Sequence, residues 1–221
     1  MSRLVERWRR SLTGAGRRLQ PDEAALRKPP EEPTHPIFAR FDERARSVSP
    51  ARVLEIGTLQ ARPGYSTHAQ ARFPGVARAD YVMADVQGGP DVDVVADLHA
   101  LPADWSGRFG AVVATAVFEH LERPWIAARE VARVLAPGGF FFVSTHQTFP
   151  LHGFPQDFFR FSKEALALIF ADAGLQVDEV AYSERSRIVP PGTILPAAQL
   201  DRWNEEFPSW VLVSALGRKP G

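Results

Sequence analysis

The sequence predicts a doubly wound α/β fold around a mainly parallel sheet, and three observations carry that prediction. Short apolar runs recur along the chain, separated by segments long enough for a helix, and strands so spaced need crossover connections. The run 140–144 is almost wholly apolar, as expected of a strand covered on both faces. The acids and glycines that stand out fall just after strands, where such a sheet binds its ligand.

The chain begins with a stretch unlike the rest. Residues 1–20 read as a basic amphipathic helix with Leu4, Trp8 and Leu12 on one face. Its arginines (Arg3, Arg7, Arg9, Arg10, Arg17 and Arg18) face one acid, Glu6. The proline-rich segment 21–35 reads as a linker, so 1–35 precedes a single domain at 36–221.

Pro36 suits the first turn of a helix through Ile37, Phe38 and Phe41 to about Arg46. Strands are expected at Arg52–Ile56, Tyr81–Ala84, Val92–Ala96, Ala111–Ala114 and Phe140–Ser144, then at Leu175–Tyr182 and Trp210–Leu216. A short helix is expected after Ser66 or Thr67, either of which suits an N-cap. Trp125–Leu135 has helical spacing and is stopped by Pro137-Gly138-Gly139. Ser162 caps a further helix that Gly174 ends. Residues 186–209 form an insertion before the last strand.

Composition excludes several function classes. There is no cysteine, hence no disulfide, thiolate nucleophile or Cys-ligated metal. Lys+Arg and Asp+Glu each number 26, which gives no electrostatic case for nucleic acid. No apolar run has the length of a membrane span, and arginines interrupt every candidate signal segment, so a cytoplasmic protein without an integral membrane segment is expected. No two histidines lie four apart on a predicted helix, and no metal site is expected.

The strand ends hold the chemistry. Glu55-Ile56-Gly57 joins an acid to a glycine that lets backbone approach a ligand. Asp85 ends the second strand, where a carboxylate can accept ribose hydroxyls, and Asp97-Leu98 ends the third. Read singly, each is equally a loop or cap residue.

Their succession resembles the class I methyltransferases, in particular the methyltransferase type 11 group. The resemblance runs through Val53–Gly57, Asp85, Asp97-Leu98-His99-Ala100-Leu101-Pro102 and Phe109–Val113, then Val117–Leu121 and Ala132–Gly139. It implies a Rossmann-like, seven-stranded sheet with an antiparallel last strand, and S-adenosylmethionine as cofactor. It further implies Glu55 near the methionine amino group, Gly57 against the cofactor's backbone, Asp85 on the ribose, and Asp97 and Leu98 beside the adenine. Thr115 and Ala116 would line the methionine and sulfonium region. One departure matters: Leu59 stands where the group's second loop glycine is expected.

The run 146–161 supplies the acceptor-side candidates: His146, His152, Asp157 and Arg160 among five phenylalanines. Methyl transfer needs the acceptor positioned and its proton removed, and imidazole titrates in the right range. His152 and His146 are therefore the candidate bases, and His152, Asp157 and Arg160 the candidate substrate contacts. Asp157 and Arg160 also suit a structural pair that fixes the loop, a reading favoured over a catalytic one.

The function expected is methyl transfer to a small-molecule acceptor, with O-methylation favoured over N- or C-methylation. Two alternatives stand beside it. Leu59 suits a degenerate, non-catalytic binding subunit, and the broad fold suits an NAD(P)-dependent oxidoreductase, although G-x-G-x-x-G is absent.

Overall fold

The computed structural model describes residues 36–48, 51–153 and 156–221. The basic segment 1–35 lies outside them. Within them, β1 (Arg52–Ile56), β2 (Tyr81–Asp85), β3 (Val94–Val95), β4 (Phe109–Thr115), β5 (Leu135–His146), β6 (Gln176–Ser186) and β7 (Ser209–Arg218) form one sheet. The strand order is β3-β2-β1-β4-β5-β7-β6. The first five pair in parallel, and β7 runs antiparallel to both β5 and β6. The doubly wound sheet with an antiparallel last strand is therefore as expected.

Alternation along the central strands creates two cores. Val53, Ala111, Val113, Phe140 and Phe142 face α1 (Pro36–Ser47), whose Ile37, Phe41 and Ala45 are buried against them. Phe41 stacks on Phe142 with ring centroids 4.1 Å apart. Leu54, Ile56, Val112, Ala114, Phe141 and Val143 face the other way, onto α2 (Pro124–Val134) and α3 (Lys163–Asp172). Full burial of one such phenylalanine is worth roughly 1.5–3 kcal/mol. These two faces hold the strand tips rigidly.

Helix starts act as read. Pro124 occupies the first turn of α2, and the Ser162 side chain accepts the Ala165 N–H at 3.2 Å to cap α3. The helix α2 already ends at Val134, and Pro137-Gly138-Gly139 instead lies within β5, which begins five residues before the expected Phe140; there a Cβ on Gly139 would lie 3.0 Å from the Phe109 carbonyl. In the insertion a short helix, α4 (Leu200–Glu206), precedes β7.

Two further elements differ from expectation. The helix after Ser66 or Thr67 does not form, and only short 3-10 turns appear at Gln70–Arg72 and Arg78–Asp80. Pro74 and Gly75 leave only a few residues for a helix after that cap, and Glu55 takes the Ala69 N–H that a cap would serve. The third strand shrinks to two residues because the Asp93 carboxylate accepts the Met83 N–H at 3.0 Å, replacing a ladder bond.

Candidate active site

The chain winds outward from β1 to β3, then returns to lay β4 beside β1. That reversal opens a crevice at the carboxyl ends of β1 and β4, the switch point where such folds bind ligands. Gly57 leaves β1 with φ +81°, and its N–H donates to the Ala84 carbonyl at 2.8 Å. Across from it, exposed Thr115 and Ala116 leave β4. Ala116 has φ +54° and donates its N–H to the Ser144 carbonyl at 2.9 Å. A non-glycine residue held in the left-handed region is strained, and such strain concentrates at functional sites.

Asp85 closes the side towards β2. Its carboxylate accepts the Leu59 N–H at 3.1 Å and the Gln87 N–H at 3.0 Å. The Leu59 side chain reaches over Gly89, where a Cβ would stand 2.5 Å from Leu59 Cδ1. The loop thus takes its own path, with leucine laid across the β2 loop and the acid steadying it. An ionised carboxylate has about four acceptor positions, so two remain for hydroxyls of a ligand.

Two of the cofactor-side candidates are buried. Glu55 is only 4 % exposed, and its oxygens accept the Ala69 N–H at 2.9 and 2.8 Å and the Tyr81 hydroxyl at 2.5 Å. Burial pushes its carboxyl above the usual range, and the Tyr81 and Ala69 donors offset only part of that. Glu55 therefore fastens the segment after β1 to the core. Leu98 is 3 % exposed and packs among core residues such as Leu101, Phe118 and Leu121. Hydrophobicity next to Asp97 serves the core instead.

Asp97 remains exposed and makes a local turn, accepting the His99 N–H at 2.8 Å and lying 2.7 Å from His99 Nδ1. His99 Nε2 accepts the Arg123 N–H at 3.3 Å, which leaves the proton on Nδ1, facing Asp97. Burial raises the Asp97 carboxyl, but the His99 contacts outweigh it and the net shift is downward.

The acceptor-side loop folds back on the end of β4. Phe158 and Phe159 N–H groups donate to the Glu119 carbonyl at 2.8 and 3.2 Å, and the Phe161 N–H to the His146 carbonyl at 3.0 Å. Arg160 grips Asp157 through both nitrogens, at 2.5 and 2.7 Å, and donates to the Phe149 and Pro150 carbonyls. The guanidinium holds the Asp157 carboxyl well below the usual carboxylate range. This pair clamps the loop. Asp157 also accepts the His152 N–H at 2.8 Å and lies 3.4 Å from His152 Nδ1, so it sets that ring's direction. Pro155, part of the motif that suggested this loop, is outside the described residues.

His146, at the tip of β5, stacks on Phe149 with centroids 4.2 Å apart, and His152 lies edge-on to His120 at 4.8 Å. The sequence had not marked Glu119 as a site residue. It is fully buried, accepts the Thr145 hydroxyl at 2.7 Å and has Oε1 3.1 Å from His146 Nε2, off the line of a straight hydrogen bond. Burial raises its carboxyl, yet the His146 ring and Thr145 hydroxyl pull it lower overall. No local pattern reveals this contact, because residues 119 and 146 meet only through adjacent strand tips.

A reversing parallel sheet, a strained β4 tip and an acid after β2 meet at one switch point. Residues 63–143 match the type 11 family model, described as a methyltransferase domain. Over 129 residues the chain is 32 % identical to the ubiquinone biosynthesis O-methyltransferase of Xanthomonas oryzae pv. oryzae, an alignment covering 52 % of this chain and 53 % of that protein. The chain thus spans about half the length of the curated relatives it matches.

A Bacillus halodurans C-125 chain assigned to the methyltransferases superimposes with TM-score 0.58 at 17 % identity, covering 83 % of this chain and 99 % of that one. The 1,6-didemethyltoxoflavin-N1-methyltransferase of Burkholderia thailandensis, solved with that substrate and S-adenosylhomocysteine, gives 0.53 at 15 % identity, covering 99 % and 86 %. The class I methyltransferase resemblance is borne out, and the cofactor of that class is S-adenosylmethionine.

Proposed function

We propose that this chain is an S-adenosylmethionine-dependent methyltransferase that methylates a hydroxyl group of a small molecule. The observation that carries the reading is the adjacency of two strand tips. The open, strained Thr115-Ala116 backbone leaves β4 beside β5, whose tip bears His146 and leads to His152. The O-methyltransferase among the relatives supports oxygen as the acceptor. The domain is assigned to 36–221, with 1–35 appended before it and 186–209 inserted ahead of the last strand.

The residues fit the cofactor. Gly57 and Ala116 open the β1 and β4 tips, Asp85 keeps acceptor positions for ribose hydroxyls, and exposed Asp97 can face the adenine. When bound, the cofactor supplies a methyl group already activated by positive sulfur. The chain then has to align the acceptor, exclude water and take one proton. His152 is assigned the proton, with Asp157 fixing its ring and Arg160 fixing Asp157. His146 is the second candidate base.

Calorimetric titration with S-adenosylhomocysteine, paired with methyl transfer from labelled donor to phenolic acceptors, tests the reading. Saturable binding and a labelled ether product are expected. His152→Ala should lower kcat by about 100-fold or more, in line with loss of a general base, while leaving cofactor affinity nearly unchanged. Equal turnover of that variant across the pH range removes His152 as the base.

A second reading has one specific observation in its favour. Leu59 lies over the β2 loop and Asp85 is already engaged by two backbone N–H groups, as in a methyltransferase fold turned to binding. Failure to bind either S-adenosylhomocysteine or NAD(H) would favour it, and NAD(H) binding alone would favour an oxidoreductase.

A further inference from the structure

The geometry points to a divalent transition-metal site formed by Glu119, His120 and His152 at the floor of the acceptor side. One ligand atom from each, a carboxylate oxygen and two imidazole nitrogens, lies within 4.8 Å of the other two. A first-row ion with bonds of about 2.0–2.2 Å holds its ligand atoms about 3–4 Å apart, so closure asks for movements under about an ångström. Two imidazoles and a carboxylate suit zinc and its transition-metal neighbours, whereas magnesium and calcium prefer all-oxygen shells.

The surroundings are those of a supported ligand set. His120 Nδ1 lies 2.6 Å from the Gln156 carbonyl, which places the proton there and leaves Nε2 with a free lone pair. That nitrogen is 3.9 Å from Glu119 Oε1. His152 Nδ1 faces Asp157 and the Pro150 carbonyl, so its Nε2 is likewise available. Oriented imidazoles backed by a carbonyl and a carboxylate are the usual outer support of metal-bound histidines.

An independent feature asks for a ligand. Glu119 Oε1 is completely buried, and the His146 Nε2 that lies 3.1 Å away is off the line of a hydrogen bond, so this oxygen has no well-aligned donor among the described residues. The guanidinium of the same loop, Arg160, is paired with Asp157. A buried carboxylate oxygen without an aligned donor is costly, and a bound cation reduces that cost. With the side chain of His152 33 % exposed and that of His120 13 %, the site stays open on one side, leaving a coordination position for an acceptor oxygen.

In the loaded protein the ion takes the His152 lone pair. A hydroxyl bound to the ion becomes more acidic and releases its proton to solvent, so that with the ion present His152 serves as a ligand and without it as the base. The inference rests on residues 119, 120 and 152 alone and stands whether or not the chain transfers methyl groups.

The test uses untagged full-length protein stripped with chelator, without cofactor. Titration with Zn2+ should show one saturable site, Mg2+ no comparable one, and Co2+ should give visible absorption bands typical of low coordination number. His120→Ala and His152→Ala should each weaken zinc binding by about tenfold or more, with unchanged circular dichroism. Glu119→Gln, which keeps volume and removes charge, should do the same, and His68→Ala, outside the cluster, should not. No saturable zinc binding by the wild type, or binding that survives both histidine substitutions, overturns the inference.

Discussion

Gly57 is glycine for two reasons that act together. Its φ of +81° is unfavourable for side-chain-bearing residues, and a Cβ there would sit 2.3 Å from Val117 Cγ2. Gly57→Ala should therefore destabilise the fold by about 1–3 kcal/mol in urea unfolding, and should weaken S-adenosylhomocysteine binding as Val117 is displaced. Wild-type stability would show that the loop relaxes freely. Asp85 makes a complementary case. Its carboxylate steadies Leu59 and Gln87 and has acceptor capacity left over, so Asp85→Ala should cost roughly 1–3 kcal/mol of cofactor affinity by calorimetry. An unchanged dissociation constant removes Asp85 from the site. Glu55, by contrast, is buried, and its carboxylate tethers Ala69 and Tyr81.

Among the elements, α2 is tied to the loop before β4 by a single charged pair. Glu130 accepts from Arg133 at 2.8 and 2.7 Å and from the Leu101 N–H at 2.8 Å, and Arg133 donates on to the Leu101 carbonyl. Arg133 is the main cause of a Glu130 pKa below its ordinary 4.5. A carboxyl with a depressed folded pKa stabilises fully above the ordinary value and loses that contribution as pH falls towards the folded one. The melting-temperature gap between wild type and Glu130→Gln should hence be constant from neutral pH to about pH 5 and narrow below pH 4.5. A gap independent of pH would show that the charge is immaterial.

Most elements were legible because their signals are local. β1 and β5 are apolar runs, Ser162 is a cap followed by helical spacing, and Gly174 has the positive φ that ends α3. A helix after β1 is suggested by Ser66 and Thr67, which can cap one, while Pro74 and Gly75 leave too short a body for it. β3 shortened because an aspartate side chain substitutes for ladder bonds, which no apolar count registers.

For the whole molecule, the sequence by itself determined the alternating architecture, the doubly wound sheet and the set of residues at strand ends. Those features follow from the spacing of apolar residues, which each segment carries within itself. Only the tertiary structure decided which strand-end residues face a crevice and which are spent inside. Leu98 and Glu55 went to the core, while Glu119, His120, His146 and His152 were drawn together across β4 and β5. The physical reason is that a parallel sheet makes neighbours of residues 26 or more positions apart. Side-chain burial and partner choice are settled by that packing, and no window along the chain contains both halves of such a contact.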